Sequence, residues 1–130
     1  MVLVDTNVIA DVIYKDPVWS TWALAQLTEH AGASCINPIV YSELCYHASG
    51  FEEVDQLVLG FDFQFVELPR AALFLAARAY RIYRQRGGTK TAPLPDFFIG
   101  AHAQALGISI LTRDAGRYGC YFPGVPLICP

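Results

Sequence analysis

The sequence predicts one α/β domain, an α/β/α sandwich around a mainly parallel central sheet. Short apolar runs suited to buried strands alternate along the chain with longer stretches suited to amphipathic helices. The chain has 130 residues, 54% of them hydrophobic, which fits one compact core and excludes a disordered protein. We therefore predict a single domain over residues 1–130.

In the first half of the chain, short apolar strands are followed by helices that begin at capping residues. Asp16 before Pro17, and Asn37 before Pro38, are typical helix starts, because the first side chain caps the helix and proline fits its first turn. The elements predicted here, in chain order, are a strand over residues 1–4, a helix over 7–14, a helix over 17–31, a strand over 34–36, a helix over 38–50 and a helix over 51–60.

The second half of the chain begins with an aromatic and β-branched run at residues 61–68 that is typical of a strand. Arg78, Arg81 and Arg84 then recur every three residues along one ridge of a long helix. Asp96 follows a proline-rich loop and is placed to cap the next helix. The elements predicted here are a strand over 61–68, a helix over 69–86, a loop over 89–95, a helix over 96–106, a strand over 108–111, a turn over 112–116 and a strand over 125–128.

Charge is distributed unevenly along the chain. Residues 1–69 carry one base and ten acids, whereas residues 70–130 carry eight bases and two acids, so that a net charge of −3 conceals a strongly dipolar sequence. Such asymmetry is typical of a protein that binds a polyanion or a charged protein partner.

The sequence also indicates the compartment and the state of the cysteines. No apolar run approaches the roughly 20 residues needed to cross a bilayer, and Asp5 interrupts the first apolar run where a signal peptide would continue. We expect a cytoplasmic protein that does not enter membranes. The cysteines form no C-x-x-C pair, and we expect reduced, mostly buried thiols, with a disulfide framework as an open alternative, at Cys35, Cys45, Cys120 and Cys129.

Four acids stand where a parallel sheet places its ligands, beyond the carboxyl ends of the strands. Asp5 follows the first strand, Asp96 opens the helix before the fourth strand and Asp114 follows that strand, while Glu43 lies on a helix among apolar residues. Each has a simpler explanation as a helix cap, a turn residue or a solvated side chain. Together, however, four converging carboxylates would repel one another unless a cation lay between them.

An all-oxygen ligand set favours Mg²⁺ or Mn²⁺, whereas zinc prefers histidine and cysteine. None of the three histidines fits a metal motif. Divalent ions held by carboxylates serve phosphoryl chemistry, which suits a chain whose basic half is able to hold a nucleic-acid backbone.

Several motifs spread over the entire chain together resemble those of a known family. They are V-D-T-N at residues 4–7, S-E-L at 42–44, P-D-F-F-I-G-A at 95–101, and L-T-R-D at 111–114 followed by Tyr118 and by F-P-G at 122–124. The set resembles the PIN domain, in the form found in the toxins of VapBC toxin–antitoxin systems.

The resemblance implies a metal-dependent endoribonuclease with an α/β/α sandwich, usually a homodimer, which uses Mg²⁺ or Mn²⁺ to hydrolyse RNA phosphodiester bonds. Its partner would be a small cognate antitoxin, which also binds operator DNA. The implied metal-binding and catalytic acids are Asp5, Glu43, Asp96 and Asp114, and the implied supporting polar residues are Thr6, Asn7 and Thr112. Some relatives carry a further acid after the fourth, whereas this chain continues with Ala115, Gly116 and Arg117.

Six basic residues are candidates for contacts with RNA or with the antitoxin. They are Arg78, Arg81, Arg84, Arg86, Lys90 and Arg113. Lysine and arginine supply the salt-dependent part of nucleic-acid affinity, but an arginine face also docks acidic proteins or is simply solvated. Arg113, beside Asp114, is placed either to contact the scissile phosphate or to receive an inhibitor carboxylate.

Two other functions fit some of these features. A phosphatase with an aspartate nucleophile after the first strand would need a second acid in a D-x-D pattern, where this chain has Asn7. A binding module for RNA or protein would use the same carboxylates to hold a structural divalent ion without catalysis.

Overall fold

In the computed structural model, which describes residues 1–130, one parallel sheet is flanked by helices. The strands are β1 (Val2–Val4), β2 (Ser34–Ile36), β3 (Gln64–Phe65), β4 (Ser109–Leu111) and β5 (Leu127–Ile128). The helices are α1 (Thr6–Ile13), α2 (Ser20–Glu29), α3 (Pro38–Cys45), α4 (Phe51–Gly60), α5 (Arg70–Gln85), α6 (Pro95–Leu106) and α7 (Gly116–Tyr121). The predicted α/β/α fold class is thereby confirmed.

The sheet has the strand order β3-β2-β1-β4-β5, and every neighbouring pair is parallel. The chain moves outward from β1 to β3 and then returns to build β4 and β5 on the other side of β1. Because parallel crossovers are right-handed, this reversal places the earlier helices on one face of the sheet and the later ones on the opposite face. The carboxyl ends of β1 and β4 are therefore adjacent at the point where the winding reverses.

The core consists of the apolar strands and the inward faces of the helices. Leu3, Val4, Ile110 and Leu111 of the two central strands have no exposed surface, as expected for a sheet covered on both faces. Packing is close where α6 crosses the last loop, because a β-carbon added at Gly100 would lie 2.2 Å from the Phe122 ring. Only glycine lets these two segments approach so closely.

Two predicted helices and two predicted strands are shorter than the sequence pattern indicated. The side chain of Asp16 accepts hydrogen bonds from the amides of Val18 and Trp19, so residues 17–19 form a turn and the helix begins only at Ser20. Asn37 caps α3 as predicted, but this helix ends at Cys45 and does not reach Gly50.

The predicted strand over residues 61–68 is only two residues long. Asp62 has a φ of 57°, and the amide of Phe63 still bonds to the carbonyl of Val58, so the end of α4 occupies the start of that run. The last predicted strand, over residues 125–128, is likewise reduced to Leu127–Ile128.

Three further predictions were wrong. Asp96 does not cap α6, because Leu94 holds that position and Asp96 lies in the first turn. The predicted turn over residues 112–116 leads directly into α7, a helix that the sequence analysis did not include. The cysteines are all free, but only Cys35 is buried, while Cys120 and Cys129 are exposed.

The helices are short relative to a bilayer. The longest, α5, has 16 residues, and none combines the length and the apolar character needed to span a membrane.

Candidate active site

The site is built around Asp5, at the point where the winding of the sheet reverses. Val4 pairs with Leu111 across the central strands, so the residues that follow them, Asp5 and Thr112, emerge side by side. Both are buried, with Asp5 only 5% exposed. A buried carboxylate is costly unless it is hydrogen-bonded, which makes its surroundings informative.

Three side chains donate hydrogen bonds to one oxygen, Oδ2, of Asp5. The hydroxyl of Tyr118 lies 2.8 Å away, that of Thr112 lies 2.9 Å away and the amide nitrogen of Asn7 lies 3.3 Å away. Asp5 occupies the N-cap position of α1, but its side chain makes no capping hydrogen bond there. The network holds the carboxylate in one orientation over the sheet edge.

Asn7 and Thr112 connect the first turn of α1 to the segment after β4. The amide group of Asn7 donates to the hydroxyl of Thr112 over 3.3 Å and accepts from the backbone amide of Arg113 over 3.1 Å. These two predicted supporting residues thus lie in the site and orient its backbone. Thr6, the third, donates a 2.7 Å hydrogen bond to the carboxylate of Glu43.

The other three acids surround Asp5 from different elements. Glu43 projects from α3, Asp96 from the first turn of α6 and Asp114 from the segment between β4 and α7. Asp96 is partly buried, whereas Glu43 and Asp114 lie at the exposed rim. The Asp114 side chain accepts a 3.1 Å hydrogen bond from the amide of Gly116 and so shapes the start of α7.

The pKa values of these acids reflect both burial and mutual repulsion. The pKa of Asp96 is raised to about 6, mainly by burial and then by the charge of Asp5, with smaller contributions from Glu43 and Asp114 and an opposing effect of Arg117. Burial is also the main cause that raises the pKa of Asp5 and of Glu43, while their hydrogen bonds lower it. The acids therefore lie close enough to act on one another, and the cluster carries more negative charge than nearby bases balance.

One cation, Arg117 on α7, lies beside the cluster. Nε of Arg117 lies 3.7 Å from Oδ2 of Asp96. Its guanidinium packs against the rings of Tyr83 and Phe97, at 5.8 and 5.7 Å from their centres. Arg117 thus compensates Asp96 from one side.

The donor chemistry of the cluster fits a hard divalent cation such as Mg²⁺ or Mn²⁺, since all its charged groups are carboxylates. In the structure, the four carboxylate side chains do not form a closed coordination shell. Nowhere in the chain do three or more histidine, cysteine, aspartate or glutamate side chains form a group that could hold a metal ion. Binding therefore requires at least one of the exposed acids, Glu43 or Asp114, to turn inward.

The basic candidates are distributed over two regions. Arg78 stacks on Phe74, Arg84 donates to the carbonyl of Lys90, and Arg86 lies over the ring of Tyr121 at 5.3 Å. These contacts belong to α5 and the loop after it. The side chains of Arg81 and Lys90 lie on the exposed surface and form no hydrogen bond or ion pair within the chain.

Its sequence position beside Asp114 led us to expect Arg113 at the phosphate or at an inhibitor carboxylate, but its side chain lies against Asp11. Its guanidinium makes two hydrogen bonds to the buried carboxylate of Asp11 on α1, of 2.6 and 3.1 Å, and lies 5.8 Å from the centre of the Trp19 ring. To contact a phosphate, Arg113 would have to leave Asp11 unpaired.

Two depressions flank the acid cluster, and they differ in character. The groove between α1, α3 and α4 has a volume of about 650 Å³ and is lined mainly by apolar residues, with Glu43 and Glu53 but without lysine or arginine. The pocket between α5 and α7 has a volume of about 340 Å³ and is lined by Asp114, Arg117, Tyr83 and Tyr121, with Gly116 and Cys120.

Sequence reasoning missed Tyr118 and Arg117 as site residues. Tyr118 appeared only as part of a motif, and Arg117 only as a departure from it. Both lie on α7, and the helix itself was not predicted. Its recognition would have placed Tyr118 one turn after Asp114, facing the sheet edge.

Comparisons with known proteins agree with this architecture. A family profile described as the PIN domain matches residues 2–118. No curated protein sequence matches the chain.

Several solved structures share the fold. VapBC2 from Rickettsia felis, bound to a DNA fragment from its promoter, is 20% identical with a TM-score of 0.74, and the match covers 100% of this chain and 99% of the other. DNA-bound VapBC from Salmonella typhimurium is 20% identical with a TM-score of 0.74, covering 98% and 96%. FitAcB from Neisseria gonorrhoeae is 21% identical with a TM-score of 0.70, also covering 98% and 96%.

At this level of identity the solved structures establish the fold alone, whereas the family profile spans most of the chain, including Asp5, Glu43, Asp96 and Asp114. The chain belongs to the PIN-domain family.

Proposed function

We propose that the chain is a metal-dependent endoribonuclease and the toxin of a type II toxin–antitoxin pair. The observation that carries the proposal is the meeting of Asp5, Glu43, Asp96 and Asp114 at the carboxyl edge of the sheet, where their charges raise the pKa of Asp96. Such a cluster stores electrostatic repulsion that a divalent cation would relieve. Membership of the PIN-domain family supports nuclease chemistry for this cluster.

Asp5 and Asp96 are the acids that would hold Mg²⁺ or Mn²⁺ directly, because they are the least exposed of the four. Glu43 and Asp114 would complete the site from its rim. When bound, the ion lowers the pKa of a coordinated water and neutralises charge on the phosphate.

The other residues of the site orient the acids and exclude water from the inner side of Asp5. Tyr118, Thr112 and Asn7 fix Oδ2 of Asp5, so that its second oxygen, Oδ1, is the one left for a ligand. Thr6 restrains Glu43. The packing of Tyr118, only 1% exposed, keeps water away from the inner side of Asp5.

An antitoxin partner is supported by the solved structures of similar fold, which are toxin–antitoxin complexes, two of them bound to DNA. The apolar groove between α1, α3 and α4 offers this chain a surface for such a protein, since Tyr14 and Tyr46 beside it are 62% and 82% exposed. In this proposal, operator DNA is contacted only through the antitoxin.

A homodimer is also proposed. Phe74 and Ile82 lie about 80° apart around α5, on one side of the helix, and are 61% and 40% exposed, which is unusual for apolar side chains on one helix face of a monomer. Self-association through this helix would remove them from water.

The test is cleavage of a labelled total-RNA pool by the purified chain, freed of any antitoxin. Reactions contain Mg²⁺, Mn²⁺ or excess EDTA, with Asp96→Asn as the site variant and Glu67→Gln as the matched control, because Glu67 is an exposed acid outside the cluster. We expect cleavage with metal, none in EDTA, none with Asp96→Asn and full cleavage with Glu67→Gln.

Absence of cleavage by the folded, antitoxin-free parent with either metal would contradict the proposal and favour a non-catalytic binding module. Trapping of a phosphorylated Asp5 would instead favour the phosphatase.

A further inference from the structure

RNA bound with one phosphate at the acid cluster must leave the cluster on one side or the other, and the two sides differ in charge. The groove on the side of α1, α3 and α4 is lined by Glu43 and Glu53 and by no lysine or arginine. Phosphates entering it would be repelled. The pocket on the side of α5 and α7 shares Asp114 with the cluster and is lined by Arg117.

Aromatic rings and arginines meet at this second pocket. Tyr83 and Tyr121 both line it, with ring centres 6.4 Å apart; Arg117, also in the lining, packs against Tyr83, and Arg86 lies over Tyr121 beside the pocket. Arg86 forms no ion pair, since the chain's salt bridges involve only Arg113 and Arg117. Its charge is therefore available to an anion.

Arg117 also retains hydrogen-bonding capacity. Its one ion pair is with Asp96, at 3.7 Å from Nε, and its side chain is 36% exposed. The exposed part of this side chain is therefore available to an oxygen atom of a ligand.

The size of the pocket fits a small unit of the substrate. Its volume of about 340 Å³ is near the lower end of the roughly 300–1,000 Å³ typical of ligand pockets. The space suits one nucleotide better than a folded protein segment.

We propose that the pocket between α5 and α7 is a subsite for the RNA nucleotide next to the cleaved bond, with Arg86 and Arg117 facing its phosphate. This proposal rests on the proposed ribonuclease function and adds the direction in which the RNA leaves the acid cluster. The apolar groove on the other side then remains free for a protein partner.

The test compares two arginines at opposite ends of α5 by fluorescence anisotropy with a short fluorescein-labelled single-stranded RNA, in EDTA to prevent cleavage. Arg86→Gln removes the charge beside the pocket, and Arg70→Gln is the control, because Arg70 is an exposed arginine at the start of α5 and is not among the candidates for RNA contact. We expect Arg86→Gln to weaken binding about fivefold and to reduce the salt dependence by about one phosphate contact, with Arg70→Gln unchanged.

Equal affinities for Arg86→Gln and the parent would overturn the subsite, as would equal losses for both variants, which indicate diffuse attraction along α5. Displacement of the RNA by polyglutamate of equal charge, as effectively as by unlabelled RNA, would also overturn it in favour of an acidic protein partner.

Cleavage measured in parallel separates this proposal from the nuclease assignment. If the parent cleaves RNA with Mg²⁺ and the KM of Arg86→Gln equals that of the parent, this result contradicts the subsite alone. A parent that binds RNA through Arg86 but never cleaves it contradicts the nuclease assignment alone.

Discussion

The hydroxyl of Tyr118 donates a 2.8 Å hydrogen bond to Oδ2 of Asp5, although the two residues lie 113 positions apart in the chain. Tyr118 is one of the largest fully buried side chains, and burial followed by the charge of Asp5 raises the pKa of its phenol. The raised pKa keeps this phenol a neutral hydrogen-bond donor near neutral pH. This bond ties α7 to the end of β1 and holds the innermost acid of the site.

We predict that Tyr118→Phe lowers both stability and activity. The variant keeps the ring but leaves a buried carboxylate without one donor, which costs about 1–3 kcal/mol in the free energy of unfolding. Cleavage should also slow, because Asp5 loses part of its orientation. Urea denaturation and RNA cleavage rates measure the two effects, and unchanged values for both would show that Thr112 and Asn7 suffice.

The raised pKa of Asp96 predicts a pH dependence of stability in the metal-free chain. Its pKa is about 6 when folded, against an ordinary value of 3.8, so between these values the folded chain holds a proton that the unfolded chain has released. The resulting stabilisation is complete below the lower value and is lost as pH rises through the upper one.

The measurement is thermal unfolding in EDTA of the parent and of Asp96→Asn. The Tm of the parent should fall relative to the Tm of Asp96→Asn as pH rises from about 4 to about 6, because only the parent must ionise this group. A difference that is independent of pH would show that the Asp96 carboxyl is not perturbed by its neighbours.

We predict that Arg113 stabilises the fold by pairing with Asp11 and does not contact the scissile phosphate. Arg113→Ala would leave the buried Asp11 carboxylate unpaired, and we expect a loss of about 1–3 kcal/mol in the free energy of unfolding. The folded fraction should keep most of its cleavage rate. A large loss of rate with unchanged stability would instead place Arg113 at the substrate.

Alanine substitution at Gly100 tests the packing of α6, with substitution at Gly119 on α7 as the control. A β-carbon at Gly100 would overlap the Phe122 ring at 2.2 Å, whereas at Gly119 nothing lies within 4 Å. We expect Gly100→Ala to destabilise the chain by about 1–3 kcal/mol, because the close-packed contact must open. Gly119→Ala, in a helix, should be neutral or slightly stabilising. Equal effects would contradict the packing described at α6.

The fold class could be predicted because it depends on local patterns. The brief apolar run before Asp5, the cap and proline at Asn37-Pro38 and the alternation of strands with helices each act over a few residues. Boundaries were less accurate where tertiary contacts decide them. Residues 61–68 have strand composition, but only Gln64 and Phe65 pair with the short β2, and Val66 adds a single amide hydrogen bond to the carbonyl of Ile36.

The four acids could be proposed as site candidates because each lies next to a strand end, at a helix start or among apolar residues. Their hydrogen-bond partners could not all be found in this way. Tyr118 reaches Asp5 from α7, a helix of six residues. Its glycines and the turn-forming Asp114 before it are typical of a turn, so the sequence did not predict this helix. The pairing of Arg113 with Asp11 is a contact across 102 positions, and local sequence favoured its neighbour Asp114.

The central claim is that these carboxylates form a divalent-metal site, and Mn²⁺ binding to the antitoxin-free chain tests it most directly. Electron paramagnetic resonance of free Mn²⁺ would follow titration of the parent, Asp5→Asn and the control Glu67→Gln. The account predicts binding by the parent and by Glu67→Gln, and its loss in Asp5→Asn while that variant remains folded. Absence of binding by the folded parent, or equal binding by all three proteins, would contradict it.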